Sequence, residues 1–230
     1  MIRTLVSLLL LTSLGQAFGQ THGIKVNPLG LAGRNLTIGY EYVTNDRQSV
    51  AVNLNLSLGL PGAASDALAD ELSAGGTTGA VSLSGFSITP QYRFYGAKKG
   101  APQGFYIAPF LRFGNRNITA TGSYDGQSAD IDFSTTALGA GFQLGTQWLI
   151  KERVSIDWYF LGLGANFQAF SGRFVSDEIL SIEDDIRQQI NDLPIIGDRL
   201  EYSVSGNELL AEISLLIPFF RSGISLGIFF

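Results

Sequence analysis

Alternation of apolar and polar residues is the dominant pattern along the chain. From Ser49 to Leu60 every second residue is apolar (Val50, Val52, Leu54, Leu56, Leu58 and Leu60), while Asn53, Asn55, Ser57 and Gly59 lie between them. Side chains alternate between the two faces of a strand, so this spacing predicts a strand with one apolar face. The same rule holds for Leu36 to Tyr42, Phe86 to Phe94, Phe105 to Phe113 and Leu138 to Trp148. It recurs in Val154 to Phe160, in Ala211 to Phe219 and in Ile224 to Phe230. Near Leu161 the register becomes ambiguous, as at a β-bulge. With the stretch from about Ile24 to Val43 taken as one interrupted strand, eight strands are predicted.

The connections alternate as well. Thr44 to Gln48, Gly96 to Gln103, Ile150 to Arg153 and Phe220 to Ser222 read as short links, and Pro61 to Leu83, Asn115 to Ile131 and Ala169 to Glu201 as long ones. Short turns at one rim and long loops at the other predict a closed, antiparallel, up-and-down β-barrel with both termini at the short-turn rim. Alternation alone does not say which face points outward, because a soluble lipocalin-like barrel alternates with its apolar face inside. The polar face is mostly Gly, Ser, Thr, Asn and Gln, with Glu41, Arg93, Arg112, Asp157 and Glu212 as its charges. Small residues and mixed charges suit a narrow packed lumen, whereas a wet exterior would carry many Lys and Glu. The expected fold is therefore all-β, a transmembrane barrel with the apolar, aromatic-rich face toward lipid.

Composition changes the picture in two ways. Charged residues make up 15% of the 230-residue chain, against roughly 25% in an average soluble protein. Cysteine is absent, which excludes disulfides, thiol nucleophiles and thiolate metal sites. The first 20 residues read as a signal peptide: Arg3 supplies the positive region and Leu5 to Leu14 the apolar one. Ala17-Phe18-Gly19 resembles a small-x-small cleavage site, which leaves 21–230 as the barrel domain; the alternative is an uncleaved N-terminal anchor. Beyond this segment no apolar run reaches the roughly 18 residues of a spanning helix. The expected location is the bacterial outer membrane, with periplasmic termini and extracellular long loops.

The C-terminal run Gly223-Ile224-Ser225-Leu226-Gly227-Ile228-Phe229-Phe230 resembles the β-signal that the outer-membrane assembly machinery recognises in its clients. Leu226, Ile228 and Phe230 occupy the matching apolar positions. The opening Ile24-Lys25-Val26-Asn27-Pro28-Leu29, with Thr37-Ile38-Gly39-Tyr40-Glu41-Tyr42 after it, is similar to small outer-membrane β-barrel domain families of the Bacteroidota type, within a porin-like superfamily. That resemblance covers the mature chain and implies a fold and a location rather than a chemistry.

Candidate chemistry is sparse. Small barrels that acylate or deacylate lipid A resemble one another in pairing a histidine with a serine and a carboxylate, since the hydroxyl needs a base. The single histidine, His22, falls before the first clear strand and reads as a tail residue. Lys98, Lys99 and Lys151 lie in predicted turns, so no lysine is expected beside a wall serine. No catalytic residue, metal site or cofactor is expected. The lumen charges Glu41, Arg93, Arg112, Asp157 and Glu212 read as a paired structural network, or else as the lining of a narrow pore or small-anion site.

Most of the 20 acidic residues lie in the long loops. The third loop contains a helix pattern, capped by Ser176 or Ser181 and stopped by Pro194, with Ile179, Ile182, Ile186, Ile190 and Leu193 on one stripe. A shorter one runs from Ser65 to Leu72. Such a stripe must be covered, either as a lid on the barrel mouth or by another envelope protein. The pairs Asp130 with Asp132 and Glu183-Asp184-Asp185 match no defined calcium loop, and the acidic balance excludes nucleic acid as a partner. The reading is a non-enzymatic envelope scaffold contacting lipid, the assembly machinery and a neighbouring protein. The alternatives are a narrow pore or ligand-binding barrel, and, third, a lipid-modifying enzyme.

Overall fold

The computed structural model describes residues 21–59, 78–96, 99–124, 127–176 and 200–230. Nine antiparallel strands follow in order: β1 (His22–Val26), β2 (Asn35–Asn45), β3 (Gln48–Ser57), β4 (Thr78–Tyr95), β5 (Gly104–Tyr124), β6 (Gln127–Ile150), β7 (Val154–Ser176), β8 (Glu201–Ser205) and β9 (Glu208–Phe229). One short helix, α1 (Pro28–Ala32), separates β1 from β2. Each of β1 to β6 pairs with the next strand, β7 pairs with β9, and β9 pairs back with β1, so β1 to β7 and β9 form a closed ring of eight. β8 stands outside the ring and pairs only with β9.

The expected number of strands is observed, but through two compensating differences. The stretch from Ile24 to Val43 is two strands, because Asn27 and Pro28 start a helix between them. Proline has no N–H to lose at the first helical position, and the Asn27 side chain caps the Gly30 N–H at 3.1 Å. At the other end, Ala211 to Phe219 and Ile224 to Phe230 belong to one continuous run, with β9 itself 22 residues long and no turn at Phe220 to Ser222. Both faces of β9 are apolar there: Leu216, Pro218 and Phe220 are exposed, while Ile217 and Phe219 are half-buried. Period two then has no unique phase: from Ala211 to Phe219 it is the inverse of the one the alternation predicts, whereas from Leu226 to Phe230 it is the one predicted.

Asn115 to Ile131 is also largely strand rather than loop, since β5 and β6 pair as far as Tyr124 with Gln127. The outer face turns polar there, as in Thr119 to Ser82 (3.2 Å) and Asn115 to Thr136 (3.2 Å), while Ile118 and Phe133 line the lumen, so the alternation changes sign while the ladder continues. Asp130 and Asp132 are therefore strand residues. The ambiguity near Leu161 is a true bulge: the register of β7 shifts against β6 beside Leu144 and Gly145, and against β9 between Tyr159 and Gly162.

The barrel is inverted relative to a soluble core. Large apolar side chains of the wall, from Ile24 and Ile38 through Phe94, Leu111, Phe142 and Trp158 to Leu226, stand outward at 40–63% exposure. Lys25, Glu41, Arg93, Gln143, Gln147, Ser155 and Asp157 are buried inside. Near the short-turn rim the outward rings cluster: Trp158 with Phe160 at 5.5 Å, Tyr92 with Phe94 at 5.0 Å, and His22 with Tyr42 at 5.0 Å. β1 and the C-terminal residue meet at that rim, where His22 and Phe230 exchange backbone hydrogen bonds of 3.1 and 2.8 Å. His22 is thus part of β1, not of a tail, and its Nδ1 lies 2.7 Å from the Tyr40 hydroxyl.

Candidate functional site in the barrel lumen

Parity along the strands aims one side chain from each of several strands at the same point. Lys25 alternates with outward Ile24 and Val26, Glu41 with Tyr40 and Tyr42, and Asp157 with Trp158; Arg93 is buried next to outward Phe94. The four charges converge although Lys25 and Asp157 are 132 positions apart in sequence. Lys25 Nζ donates to Glu41 Oε2, to Gln147 Oε1 at 2.6 Å and to Asp157 Oδ2 at 2.8 Å. Arg93 Nη1 donates to the same three oxygens, at 2.7 Å to Asp157, 3.0 Å to Gln147 and 3.2 Å to Glu41. Two cations against two carboxylates leave the cluster neutral.

A ring of hydroxyls satisfies the remaining carboxylate oxygens. Ser49 Oγ and Tyr95 Oη donate to Glu41 Oε1 at 2.6 and 2.7 Å, and Tyr106 Oη donates to Asp157 Oδ1 at 2.7 Å. Tyr106 also accepts from Gln143 Nε2 at 3.0 Å, and its ring lies 4.5 Å from the Arg93 guanidinium. Charges this deeply buried are tolerated only when paired and hydrogen-bonded. Glycines make the room: a Cβ on Gly145 would come within 2.5 Å of the Tyr106 ring, and one on Gly227 within 2.7 Å of Lys25. Below the cluster Phe229, 1% exposed, closes the short-turn end, with Lys25 Nζ 5.7 Å from its ring.

Chemically the cluster is a seal and a clamp. Its charged side chains are 0–4% exposed and pair with one another, so none is presented to a substrate. By joining β1 and β2 to β4 and β7 it ties strands on both sides of the β9–β1 seam. Tyr106→Phe removes one hydrogen bond to a buried carboxylate without altering ring packing. The expected loss is about 1.5–3 kcal/mol of barrel stability, read from urea unfolding in micelles by the fluorescence of Trp148 and Trp158.

Three of the five anticipated lumen charges, Glu41, Arg93 and Asp157, are brought together. Arg112 also faces the lumen but higher: it pairs with Gly139, whereas Tyr106 beside the cluster pairs with Gly145, and the Arg112 guanidinium sits 5.6 Å from the Phe219 ring. Glu212 is a correction. It is exposed and shares the outer face of Leu216 and Phe220, a consequence of the inverted phase in β9. Lys25 joins the cluster without having been singled out by the alternation, although its position between Ile24 and Val26 signals an inward side chain. Arg221 also faces inward, on a continuous strand where the pattern of short links places a turn.

Leu226, Ile228 and Phe230 face outward at 42, 55 and 39% exposure. The stripe Ile179, Ile182, Ile186, Ile190 and Leu193 lies outside the described residues, as does the Ser65 to Leu72 pattern. Asp132 and Glu208 flank Arg173 on the exterior, at 3.7 and 2.6 Å. Among the described residues no group of three His, Cys, Asp or Glu side chains could hold a metal ion.

Fold and site together define a small closed β-barrel, apolar outside and holding a buried ion cluster within. The chain belongs to the family described as "Protein of unknown function (DUF3575)", whose model matches residues 4–173. That match runs from the N-terminal apolar segment into β7. No curated protein matches the chain. Among solved structures, a major outer membrane protein from Thermus thermophilus is similar at 11% identity and a TM-score of 0.43, over 91% of this chain and 99% of that one. The translocator domain of the autotransporter NalP from Neisseria meningitidis overlaps at 10% identity and a TM-score of 0.38, over 99% and 95%. Overlaps this loose transfer nothing to the present chain.

Proposed function

We propose that this protein is an integral outer-membrane β-barrel of the small Bacteroidota type, sealed to ions and non-enzymatic, serving as an envelope scaffold through its long-loop end. The outward apolar belt carries the reading. Burying charge while exposing Phe, Leu, Ile and Trp around the whole wall is unfavourable in water and favourable only where lipid replaces it. A closed ring satisfies the backbone across that belt without an exposed edge. The paired ion cluster supports a sealed lumen over a narrow pore, because its side chains fill the bore. Leu226, Ile228 and Phe230 stand on the lipid-facing side, where the assembly machinery would read them. The short-turn rim is assigned to the periplasm on the outer-membrane pattern of turns and loops.

The test is gel mobility of outer-membrane fractions with and without boiling, followed by planar-bilayer recording. A faster unboiled band confined to that membrane, and no current steps, is the expected result. A soluble periplasmic protein without a mobility shift would sink the reading. Deleting residues 177–193 should leave the mobility shift and the absence of current intact while abolishing crosslinks to a neighbouring envelope protein. If current appears instead, that segment is a lid and the seal is not the ion cluster.

A further inference from the structure

Above the neutral seal, the lumen changes character. Arg112 on β5 and Arg221 on β9 both face inward, with Arg116 further along β5 on the same face. Arg112 is near enough to Arg116 and Arg221 to be repelled by both. Neither Arg112 nor Arg221 has a carboxylate partner among the described residues; their neighbours are rings instead. Arg112 lies 5.6 Å from Phe219, and Arg221 lies between Phe110 at 5.1 Å and Tyr159 at 4.9 Å. Four charges below this level cancel, so among the described residues the arginines leave the upper lumen with a net positive charge.

Two of these arginines border a cavity. Arg112 and Arg116 line an open cup of about 410 Å³, whose wall includes Ser57, Thr135 and Asn166. Toward the long-loop end the wall is aromatic, with Phe133 and Phe170 at 5.8 Å. Guanidinium groups held against ring faces are pre-organised, and they bind phosphate oxygens through paired N–H donors. A single carboxylate would leave much of this charge unanswered, whereas a phosphate monoester carries close to two negative charges. The volume exceeds that of a bare oxyanion and lies within the range of small-molecule sites.

We propose that this cup binds an organic phosphate, its phosphoryl group held by Arg112 and Arg116. The organic portion then lies against Phe133 and Phe170. This goes beyond the scaffold reading and does not depend on which membrane holds the barrel. The phosphate can be that of a soluble ester or that of a lipid headgroup, and the experiment separates them.

The full mature chain is refolded in dodecyl maltoside micelles in phosphate-free buffer. Titrations by calorimetry use glucose 1-phosphate, glucose, and phosphatidic acid in mixed micelles. Saturable binding of glucose 1-phosphate, with none of glucose, is expected. Arg112→Gln and Arg116→Gln should each weaken it by about tenfold or more, since each removes a charged donor. Arg173→Gln, on the exterior, should leave it unchanged. Binding of phosphatidic acid alone, with the same arginine dependence, would identify the ligand as a lipid headgroup and uphold the site. If a Gln variant loses the unboiled mobility shift, Arg112→Lys replaces it, and a several-fold loss is expected because paired donation is gone. No phosphate binding, equal binding of glucose, or binding indifferent to Arg112 and Arg116 overturns the proposal.

Discussion

Arg93→Met is expected to destabilise the barrel by about 3–5 kcal/mol, the cost of stranding a buried charge. The guanidinium is 2% exposed and its Nη1 serves Glu41, Asp157 and Gln147 at once. With methionine there, Lys25 faces two carboxylates alone, and the cluster carries a net negative charge without water to solvate it. A second substitution, Glu41→Gln, should restore part of the loss by returning the cluster to neutrality. The measurement is a double-mutant cycle on urea unfolding in micelles. Coupling beyond about 0.5 kcal/mol, favourable in the double variant, is expected of groups sharing one network. Additive losses would mean that the charges are held by surrounding packing rather than by one another.

Lys25→Met should be comparably severe, but its effect concentrates at the closing seam. β1 has only five residues, and its pairing with β9 rests on Gly23 to Val26. Lys25 is the inward side chain through which β1 reaches Glu41, Gln147 and Asp157. Losing it leaves Glu41 and Asp157 sharing Arg93, a buried group with net negative charge, and frees β1 from the far wall. Hydrogen exchange of the His22 to Val26 amides should accelerate at least about a hundredfold, equivalent to about 2.7 kcal/mol of local opening, ahead of amides in β5 and β6. Uniform acceleration across all strands would instead show that the seam is no weaker than the rest of the ring.

Much of this architecture is legible in the chain. Period two in β3, β4, β5 and β6 marks the outward face residue by residue, because each strand there sets apolar side chains against small polar ones. Glu41, Arg93 and Asp157 are assigned to the lumen for the same reason. The pattern fails where that contrast vanishes. In β9, Phe219 and Phe220 are both large and apolar but face opposite ways, so alternation inverts the phase, sets Glu212 inside and gives Arg221 to a turn. In β5 and β6 beyond Asn115 the outer face turns polar while Ile118 and Phe133 face inward, so a ladder of backbone hydrogen bonds continues where the alternation has changed sign.

By itself, then, the sequence determined an antiparallel closed barrel with the apolar face outward, since alternation and low charge are local properties of neighbouring residues. Only the tertiary structure decided which charges meet. Whether Lys25 lies against Asp157 depends on strand register, bulge position and ring closure summed over most of the chain. None of these is encoded by the residues immediately around either partner. The same closure set Arg112 and Arg221 above the ion cluster with rings instead of carboxylates, and so decided where, among the described residues, the lumen is neutral and where it is positively charged.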